Sequence, residues 1–142
     1  MNNQIEPCYN LAMRKTCRLI NQFYEDRLAA VGLKVGQFSL LRAIHYCQKT
    51  TNKDLQRILV LDQTTLSRNL KPLFRDELLT LSLDADDKRV KIIALSAKGK
   101  KLYSQALPLW NKTQEELQQR IGEKDSMKIL GLSKVIVKKL ST

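Results

Sequence analysis

The sequence predicts a mainly α-helical fold that contains one small β-hairpin. Two observations support this prediction. Apolar residues recur at helical spacing over most of the 142 residues, whereas two short segments between residues 79 and 95 have the pattern of β-strands. The length is that of one domain with a hydrophobic core of its own, so we expect residues 1–142 to form a single domain.

A short helix is predicted immediately after Thr51. Thr51 and Asp54 match an N-terminal capping box, in which a hydroxyl and a carboxylate satisfy unpaired backbone N–H groups. Three apolar residues follow at the spacing of one helix face: Leu55, Ile58 and Leu59. Residues 60–61 then form a turn, because Asp62 is a good N-cap for a new helix and its charge is favourable at the positive end of a helix dipole.

The new helix is predicted over residues 63–75 and has two different faces. At about 100° per residue, its apolar side chains form one inward stripe: Leu66, Leu70, Leu73 and Phe74. The opposite face and its flanks carry hydroxyls, amides and cations: Thr64, Arg68, Lys71 and Arg75, flanked by Gln63, Thr65, Ser67 and Asn69. Because Pro72 cannot donate a backbone hydrogen bond, a bend or an early end near residues 68–71 is also predicted.

A β-hairpin follows this helix. Residues 79–83 alternate between apolar and polar side chains, which predicts a half-buried strand, and the β-branched residues within 90–95 predict its partner. The connection at 84–89 is charged, and Ser96 is a suitable N-cap for the next helix. Helix, turn, helix, strand, turn and strand is the element order of a winged helix-turn-helix, which we place at about residues 36–96.

The second helix of such a unit enters the major groove of DNA, with its first residues near the base edges. We therefore predict eight contacts to DNA from this helix: Gln63, Thr64, Thr65, Ser67, Arg68, Asn69, Lys71 and Arg75. The residues near the start can hydrogen-bond to bases, whereas Lys71 and Arg75 suit phosphates. An ordinary solvated helix face would also be polar, and this alternative stays open.

The tip of the hairpin predicts a second contact with DNA. A wing can reach the minor groove, where Lys88 and Arg89 would be attracted by the negative potential. Asp87 can brace Arg89 through a charge-assisted hydrogen bond. Two alternatives remain for this tip: an ordinary solvated turn, or a wing that binds a partner protein.

The net charge is consistent with an anionic partner. A formal charge of +11 and a pI near 9.8 favour binding of nucleic acid. The excess of cations is spread along the whole chain, so the arrangement of the helix at residues 63–75 carries the argument for where DNA binds.

The two ends of the chain predict helices that need a partner. A helix over about residues 7–31, with Pro7 at its first position, has apolar side chains on two nearly opposite faces: Cys8, Ala12, Leu19 and Phe23 on one, and Met13, Cys17, Tyr24 and Leu28 on the other. Two further helices are predicted at 97–121 and about 124–140, separated at Gly122. We expect residues 7–31 and 97–140 to form a helical dimerisation lobe, so that two copies meet a palindromic site.

The residues that could support chemistry are few. The three cysteines lack a metal-ligand spacing, the only histidine is His45, and no phosphate-binding loop or nucleophile motif is present. We therefore expect no enzyme activity, no cofactor and no metal, and we expect His45 in the core or an interface. No apolar run is long enough to span a membrane, and the first residues lack the order of a signal peptide, so we expect a cytoplasmic protein.

Three segments of the chain resemble the MarR family of winged-helix transcriptional regulators. They are the run Gly32-Leu33-Lys34-Val35-Gly36-Gln37-Phe38-Ser39-Leu40-Leu41-Arg42-Ala43, the helix from Asp62 to Leu73, and Asp87-Lys88-Arg89 followed by Leu95-Ser96-Ala97-Lys98-Gly99. The resemblance covers about residues 8–140. One departure is clear: the family carries a glycine before the first wing strand, in a run like Glu-x-x-Gly-Leu, and this chain has Phe74-Arg75-Asp76-Glu77-Leu78, which leaves the end of that helix open.

The resemblance implies a homodimeric repressor that a small, often phenolic, molecule releases from operator DNA. Family members bind such ligands between the dimerisation helices and the winged helix, which by analogy points to four residues: Tyr24, Phe38, Leu41 and His45. Some members instead sense oxidants through a cysteine near the start of the first helix. Cys8 lies at that position, where a helix dipole stabilises a thiolate, so a thiol switch is the alternative.

Overall fold

The computed structural model describes residues 7–141 and confirms the predicted fold class. Six α-helices and one two-stranded antiparallel sheet account for its regular structure: α1 (Tyr9–Leu28, continued by a 3₁₀ turn at Ala29–Val31), α2 (Val35–Cys47), α3 (Asn52–Leu59), α4 (Gln63–Arg75), β1 (Leu79–Leu83), β2 (Lys91–Leu95), α5 (Ala97–Ile121) and α6 (Glu123–Leu140). Among the described residues, no helix is both long enough and apolar enough to cross a membrane.

Three helices begin at the residues that the sequence predicts. In each, a side-chain oxygen accepts the backbone N–H three positions on: Thr51 from Asp54 (3.2 Å), Asp62 from Thr65 (2.7 Å) and Ser96 from Gly99 (3.0 Å). The capping box at α3 is only half formed, because the Asp54 carboxylate lies 3.7 Å from Arg57 and not on the Thr51 backbone. A single hydroxyl is thus sufficient to define the start of α3.

The first helix begins later than predicted. Pro7 lies outside α1, and Cys8 is the N-cap in an extended conformation. The Cys8 Sγ atom accepts the backbone N–H of Leu11 at 3.4 Å. Because the Cys8 thiol satisfies this N–H, the helix begins directly after residue 8. Pro7 therefore does not take the first helical position.

The predicted early end of α4 at residues 68–71 is wrong, because the helix continues through Pro72 to Arg75. Proline costs one backbone hydrogen bond at this point. Three leucines on the inner face, Leu66, Leu70 and Leu73, are buried and hold the helix against the core on both sides of the proline. Tertiary packing therefore overrides the local preference.

The end of α4 is formed by Glu77 in a left-handed conformation with φ of 60°. The N–H of Leu78 then donates to the carbonyl of Leu73 at 2.9 Å, which closes the helix. Glu77 occupies the position where the resembled family has glycine. The chain thus forms the turn that glycine usually forms, although Glu77 has a side chain and its positive φ disfavours any residue with a Cβ atom.

Replacing Glu77 with glycine should stabilise the fold. Glu77→Gly removes the steric strain of the left-handed residue, and we expect the free energy of unfolding to rise by about 0.5–1 kcal/mol in urea titrations. The matched control is Asp76→Gly, because Asp76 has an ordinary φ of −85°, so glycine there adds freedom to the unfolded chain and removes only the exposed contact of the carboxylate with Arg75. A loss of stability in Glu77→Gly as large as that in Asp76→Gly would contradict the interpretation.

The hydrophobic core joins α2, α3, α4, the base of the hairpin and α5. Its completely buried side chains come mainly from the helices: Leu28, Leu41, Ile44, Leu55, Leu66 and Leu73. Phe38 lies at its centre, where its ring stacks on Tyr103 with centroids 5.7 Å apart and on Trp110 at 6.0 Å. The predicted inward stripe of α4 is confirmed for the three leucines, whereas Phe74 is only half-buried.

The outer part of the wing differs from the predicted half-buried strand. Leu79 is buried, but Leu81 and Leu83 are 52% and 58% exposed. These two residues pair with Ile93 and Lys91 on β2. The core ends at the base of the hairpin, where Thr50 forms a bridge with Ile93. The apolar and polar alternation of β1 therefore continues past the part of the strand that the core covers.

A helical lobe is formed by α1, α5 and α6. Arg27 on α1 donates to the Glu116 carboxylate on α5 (Nε to Oε2, 2.9 Å), and Tyr24 donates its hydroxyl to the Gln114 side chain. The Arg27 guanidinium holds the pKa of Glu116 below its ordinary value. No residue of α6 is buried within the described chain, and the apolar residues predicted for this helix are all exposed: Met127, Leu130, Val137 and Leu140.

Candidate nucleic-acid interface

The outer face of α4 presents the eight residues predicted to contact DNA. Seven of them are exposed, and Thr65 is half-buried and donates its backbone N–H to the Asp62 carboxylate at 2.7 Å. The hydrogen bonds from Thr65 keep the pKa of Asp62 below its ordinary value, so this carboxylate is ionised at the positive end of the helix. The buried leucines on the inner face fix the rotation of α4 about its axis, and with it the direction of the outer residues.

Two cations on this face are not neutralised. Within residues 7–141, no carboxylate lies at ion-pair distance from Arg68 or Lys71, whereas Arg75 has its Nε 3.3 Å from the Asp76 Oδ1 atom. A charged group on a folded surface without an internal counterion interacts most strongly with an external one. Arg68 and Lys71 are therefore available to a polyanion, and Arg75 is partly compensated.

The wing tip holds Arg89 in a fixed position. Its Nε and Nη2 atoms donate to the two carboxylate oxygens of Asp87 at 3.1 and 3.2 Å, and its backbone N–H donates to Oδ1 at 3.0 Å. These bonds lower the pKa of Asp87. The predicted brace is confirmed, and the Arg89 side chain remains 91% exposed.

Two of the acidic residues of the tip accept hydrogen bonds from within the turn. Asp84 accepts the backbone N–H of Asp87 at 3.2 Å, and Asp87 itself is paired with Arg89. Lys88 is exposed beside them. Within residues 7–141, Lys88 has no carboxylate at ion-pair distance, whereas Arg89, like Arg75, is partly compensated by the carboxylate that holds it.

A groove beside α4 contains residues that the sequence reasoning missed. Lys34, Gly36 and Gln37 at the start of α2 line it together with Arg68 and Asn69 of α4 and the acidic Glu25 of α1. Lys34 is exposed, and its backbone N–H is satisfied by the Gln37 side chain at 3.0 Å. Only the packing of α2 against α4 shows that Lys34 and Arg68 line the same groove.

Comparisons with known proteins agree with this geometry. The sequence model of the MarR family matches residues 33–91. The crystal structure of the transcriptional regulator MosR from M. tuberculosis, in complex with DNA, is 32% identical and aligns over 91% of this chain and 96% of that one, with a TM-score of 0.78. The chain belongs to the MarR family. This family consists of DNA-binding transcriptional regulators and not of enzymes.

Two further relatives extend the comparison. BpsR from Bordetella bronchiseptica shares the fold at 17% identity, with a TM-score of 0.83 over 96% of this chain and 97% of that one. An uncharacterised helix-turn-helix transcriptional regulator from Staphylococcus aureus is 34% identical over 68 residues, which are 48% of this chain and 47% of that protein. The chain thus spans about half the length of this curated relative.

The four ligand-pocket residues inferred from the MarR resemblance do not share one cavity. Tyr24 lies between α1 and α5, where burial raises its pKa. Leu41 is fully buried, and Phe38 is committed to stacking in the core. His45 is exposed and stacks on Tyr103 at 4.4 Å, so it does not lie in the core, and its expected place at an interface stays a prediction, as does the ligand pocket. Phe38 and His45 both stack on Tyr103, but they line different cavities.

A different cleft is better suited to a ligand in this MarR-family chain. The Arg42 guanidinium lies over two aromatic rings, 4.7 Å from the centroid of Trp110 and 5.1 Å from that of Tyr46. The cleft has a volume of about 590 Å³, and Phe38 and Ser39 also line it. None of its lining residues is acidic. A cation between aromatic walls can bind a planar anion by charge and by stacking.

The cysteines are all exposed and free. Cys8 caps α1. Tyr9 is next to it in the sequence, whereas Tyr24 lies 16 residues further along the same helix, or about 24 Å away, and cannot support the reactivity of the Cys8 thiol within one chain. Within residues 7–141, no group of three potential ligands is placed to hold a metal ion. Oxidant sensing through Cys8 stays a prediction.

Proposed function

We propose that this chain is a homodimeric cytoplasmic repressor that binds a pseudo-palindromic operator in double-stranded DNA. One observation carries the proposal: within residues 7–141, Arg68 and Lys71 on the exposed face of α4 have no carboxylate at ion-pair distance, and Arg89 on the wing is held by Asp87. The DNA complex of MosR, the relative at 32% identity, supports the same type of binding here.

The residues of α4 have different proposed roles. Arg68 lies in the middle of the exposed face, where a guanidinium can donate two hydrogen bonds to a guanine edge in the major groove. Lys71 lies nearly one turn further along and suits a phosphate. Arg89 on the wing would enter the minor groove with its direction set by Asp87.

The experiment that tests these roles compares two substitutions on a panel of operator variants. Arg68→Ala should cost about 1–3 kcal/mol on the preferred site and relax the preference at one base pair. Lys71→Ala should weaken binding to all sequences alike and reduce the salt slope by about 1. Binding measured by fluorescence anisotropy at several salt concentrations separates the two.

The controls define what would overturn the proposal. Lys112→Ala removes an equal charge from α5 and should leave operator binding nearly unchanged, since Lys112 lies outside both DNA-binding elements. Equal effects of Arg68→Ala and Lys71→Ala on every sequence would contradict the assigned roles. Absence of any preferred sequence and of a steep salt dependence would favour the protein-binding alternative.

The exposed surface of α6 supports the homodimer. On a helical wheel, six apolar residues fall within about 80° of one direction: Ile129, Leu130, Leu132, Ile136, Val137 and Leu140. The five lysines of the helix lie on the opposite side: Lys124, Lys128, Lys134, Lys138 and Lys139. An exposed apolar face of this length is an association surface, and the helical lobe of a second copy would cover it.

Release by a small planar anion is the second part of the proposal, and the Arg42 cleft supports it. BpsR, which shares the fold, is a protein whose DNA binding is regulated by 6-hydroxynicotinic acid. In this chain the carboxylate of such a molecule would pair with Arg42, and its ring would stack on Trp110 or Tyr46. A ligand that binds better to a dimer with wrongly spaced α4 helices would lower operator affinity.

The Arg42 cleft can be tested with 6-hydroxynicotinic acid as the probe. Arg42→Gln should raise the concentration that releases half of the DNA by at least tenfold, since the charge-assisted pair is lost. Arg14→Gln on α1 is the matched control and should respond as the wild-type chain does. Equal release in the wild-type chain and in Arg42→Gln would remove this cleft from the proposal.

A further inference from the structure

The Arg42 cleft lies on one side of the last turn of α2, and a second cationic cavity lies on the other side. It has a volume of about 740 Å³ and is enclosed by the end of α2, by β2 and by the first turns of α5. None of its lining residues belongs to α4, to the wing tip or to the aromatic walls of the Arg42 cleft. The proposed operator and ligand contacts therefore leave this cavity without a role.

The lining has the chemistry of an anion site. Lys49 and Lys100 supply two ammonium groups, Ser104 supplies a hydroxyl and His45 an imidazole, above an apolar floor that includes Ile44. No acidic residue lines the cavity. Within residues 7–141, no carboxylate lies at ion-pair distance from Lys49 or Lys100. A concave surface with charges of one sign concentrates counterions.

The walls of the cavity are held in place by the fold. The His45 ring stacks on Tyr103 of α5 at 4.4 Å. Thr50, which follows Lys49, forms two backbone hydrogen bonds with Ile93 of β2, at 2.9 and 2.7 Å. The backbone that carries Lys49 is thereby fixed to the strand that forms the opposite wall.

A strained turn directs Lys49. Gln48 has φ of 63° and ψ of −57°, and the N–H of Lys49 donates to the carbonyl of Cys47 at 2.7 Å, which defines a γ-turn. This angle disfavours any residue other than glycine, and strain of this kind clusters at binding sites. The turn lies in the wall of the cavity and ends at the lysine.

We propose that this cavity binds a phosphate-type anion through Lys49, Lys100 and Ser104. The two ammonium groups neutralise the charge of the anion, and the Ser104 hydroxyl donates to a free oxygen. The anion comes either from a free phosphorylated small molecule or from the DNA backbone, and the experiment separates these sources. The proposal goes beyond operator binding, and it is tested first in the absence of DNA.

Sodium phosphate is the probe, compared with sodium chloride at equal ionic strength. Phosphate should raise the midpoint of thermal unfolding of the wild-type chain by about 2–4 °C at saturation. Lys49→Gln and Lys100→Gln should each weaken the phosphate affinity at least tenfold in calorimetric titrations. Lys101→Gln, on the same helix but outside the cavity, should bind as the wild-type chain does.

Two results would overturn the proposal. The first is a wild-type chain that responds alike to phosphate and chloride. The second is a Lys49→Gln/Lys100→Gln double variant that retains the wild-type affinity for phosphate. Because neither measurement contains DNA, failure of operator binding cannot imitate these results.

Operator titrations of Lys100→Gln in phosphate-free buffer then identify the source of the anion. An unchanged operator affinity assigns the cavity to a free phosphorylated molecule. A weaker affinity with a salt slope reduced by about 1 assigns it to a backbone phosphate of the DNA. Both results support the site, provided that the phosphate titration has succeeded.

Discussion

Gly99→Ala should lower the free energy of unfolding by about 2–4 kcal/mol, the largest effect on stability expected for a change of one carbon atom in this chain. A Cβ atom at Gly99 would lie 2.1 Å from the carbonyl oxygen of Leu78 and 3.1 Å from its carbonyl carbon. Both are backbone atoms, so no rotation of a side chain can relieve the overlap. The alanine must push the first turn of α5 away from the wing root, which consists of Glu77 and Leu78.

The surrounding hydrogen bonds make this displacement costly. The Leu78 carbonyl accepts the backbone N–H of Ser96 at 3.0 Å, and the Ser96 hydroxyl donates to the carbonyl of Glu77 at 2.7 Å. Moving α5 would break both bonds together with the cap at Gly99. We therefore expect the loss of several interactions at one place.

Urea unfolding followed by circular dichroism measures the effect, and the chain supplies a matched control. Gly131 lies within α6 and a Cβ atom there would meet no atom within 4 Å. Gly131→Ala should therefore raise the stability by up to about 1 kcal/mol, as helix propensity dictates. Equal stability of Gly99→Ala and the wild-type chain would show that the wing root is looser than the structure indicates.

The second large effect is expected on α6. The double substitution Leu132→Glu and Ile136→Glu places two carboxylates one turn apart on the exposed apolar side, where the proposed partner subunit would bury them. We expect a monomer at micromolar concentration and at least a 100-fold loss of affinity for a palindromic operator. Sedimentation velocity and operator titration measure the two consequences.

The design separates loss of the dimer from loss of the fold. Neither residue lines a cavity or is buried within the described chain, so the far-ultraviolet circular dichroism of the variant should be unchanged. Lys138→Glu puts a carboxylate on the opposite side of the same helix and should leave the dimer intact. A double variant that still sediments as a dimer would place the interface elsewhere.

Local patterns were sufficient to predict the elements that form the interface. Asp62 and Ser96 cap helices through contacts only three residues long, and the Asp87–Arg89 brace spans two residues. The inward leucines of α4 follow from helical periodicity alone. Such features need no knowledge of the tertiary structure, which is why the recognition helix and wing could be predicted together with their candidate contacts.

Features that depend on the packing of distant segments could not be predicted in this way. The closeness of Lys34 to Arg68 requires the position of α2 relative to α4. Phe38 and His45 share a helix face and both stack on Tyr103, but the cavity that each one lines depends on how other elements pack against α2. Leu81 alternates as a buried residue would, but it is 52% exposed because the core ends at the base of the hairpin.

Helix α5 is one uninterrupted element of 25 residues, or about 37 Å, whose first turn is bonded to the wing root and whose last turns carry the helical lobe. It can therefore act as a lever arm between two distant ends. A tilt of about 5° at its lobe end would displace the wing end by about 3 Å, comparable with the length of a hydrogen bond. A small molecule that shifts the lobe end of α5 would thus need to cause only a slight rotation to withdraw Arg89 from the minor groove that we propose it enters.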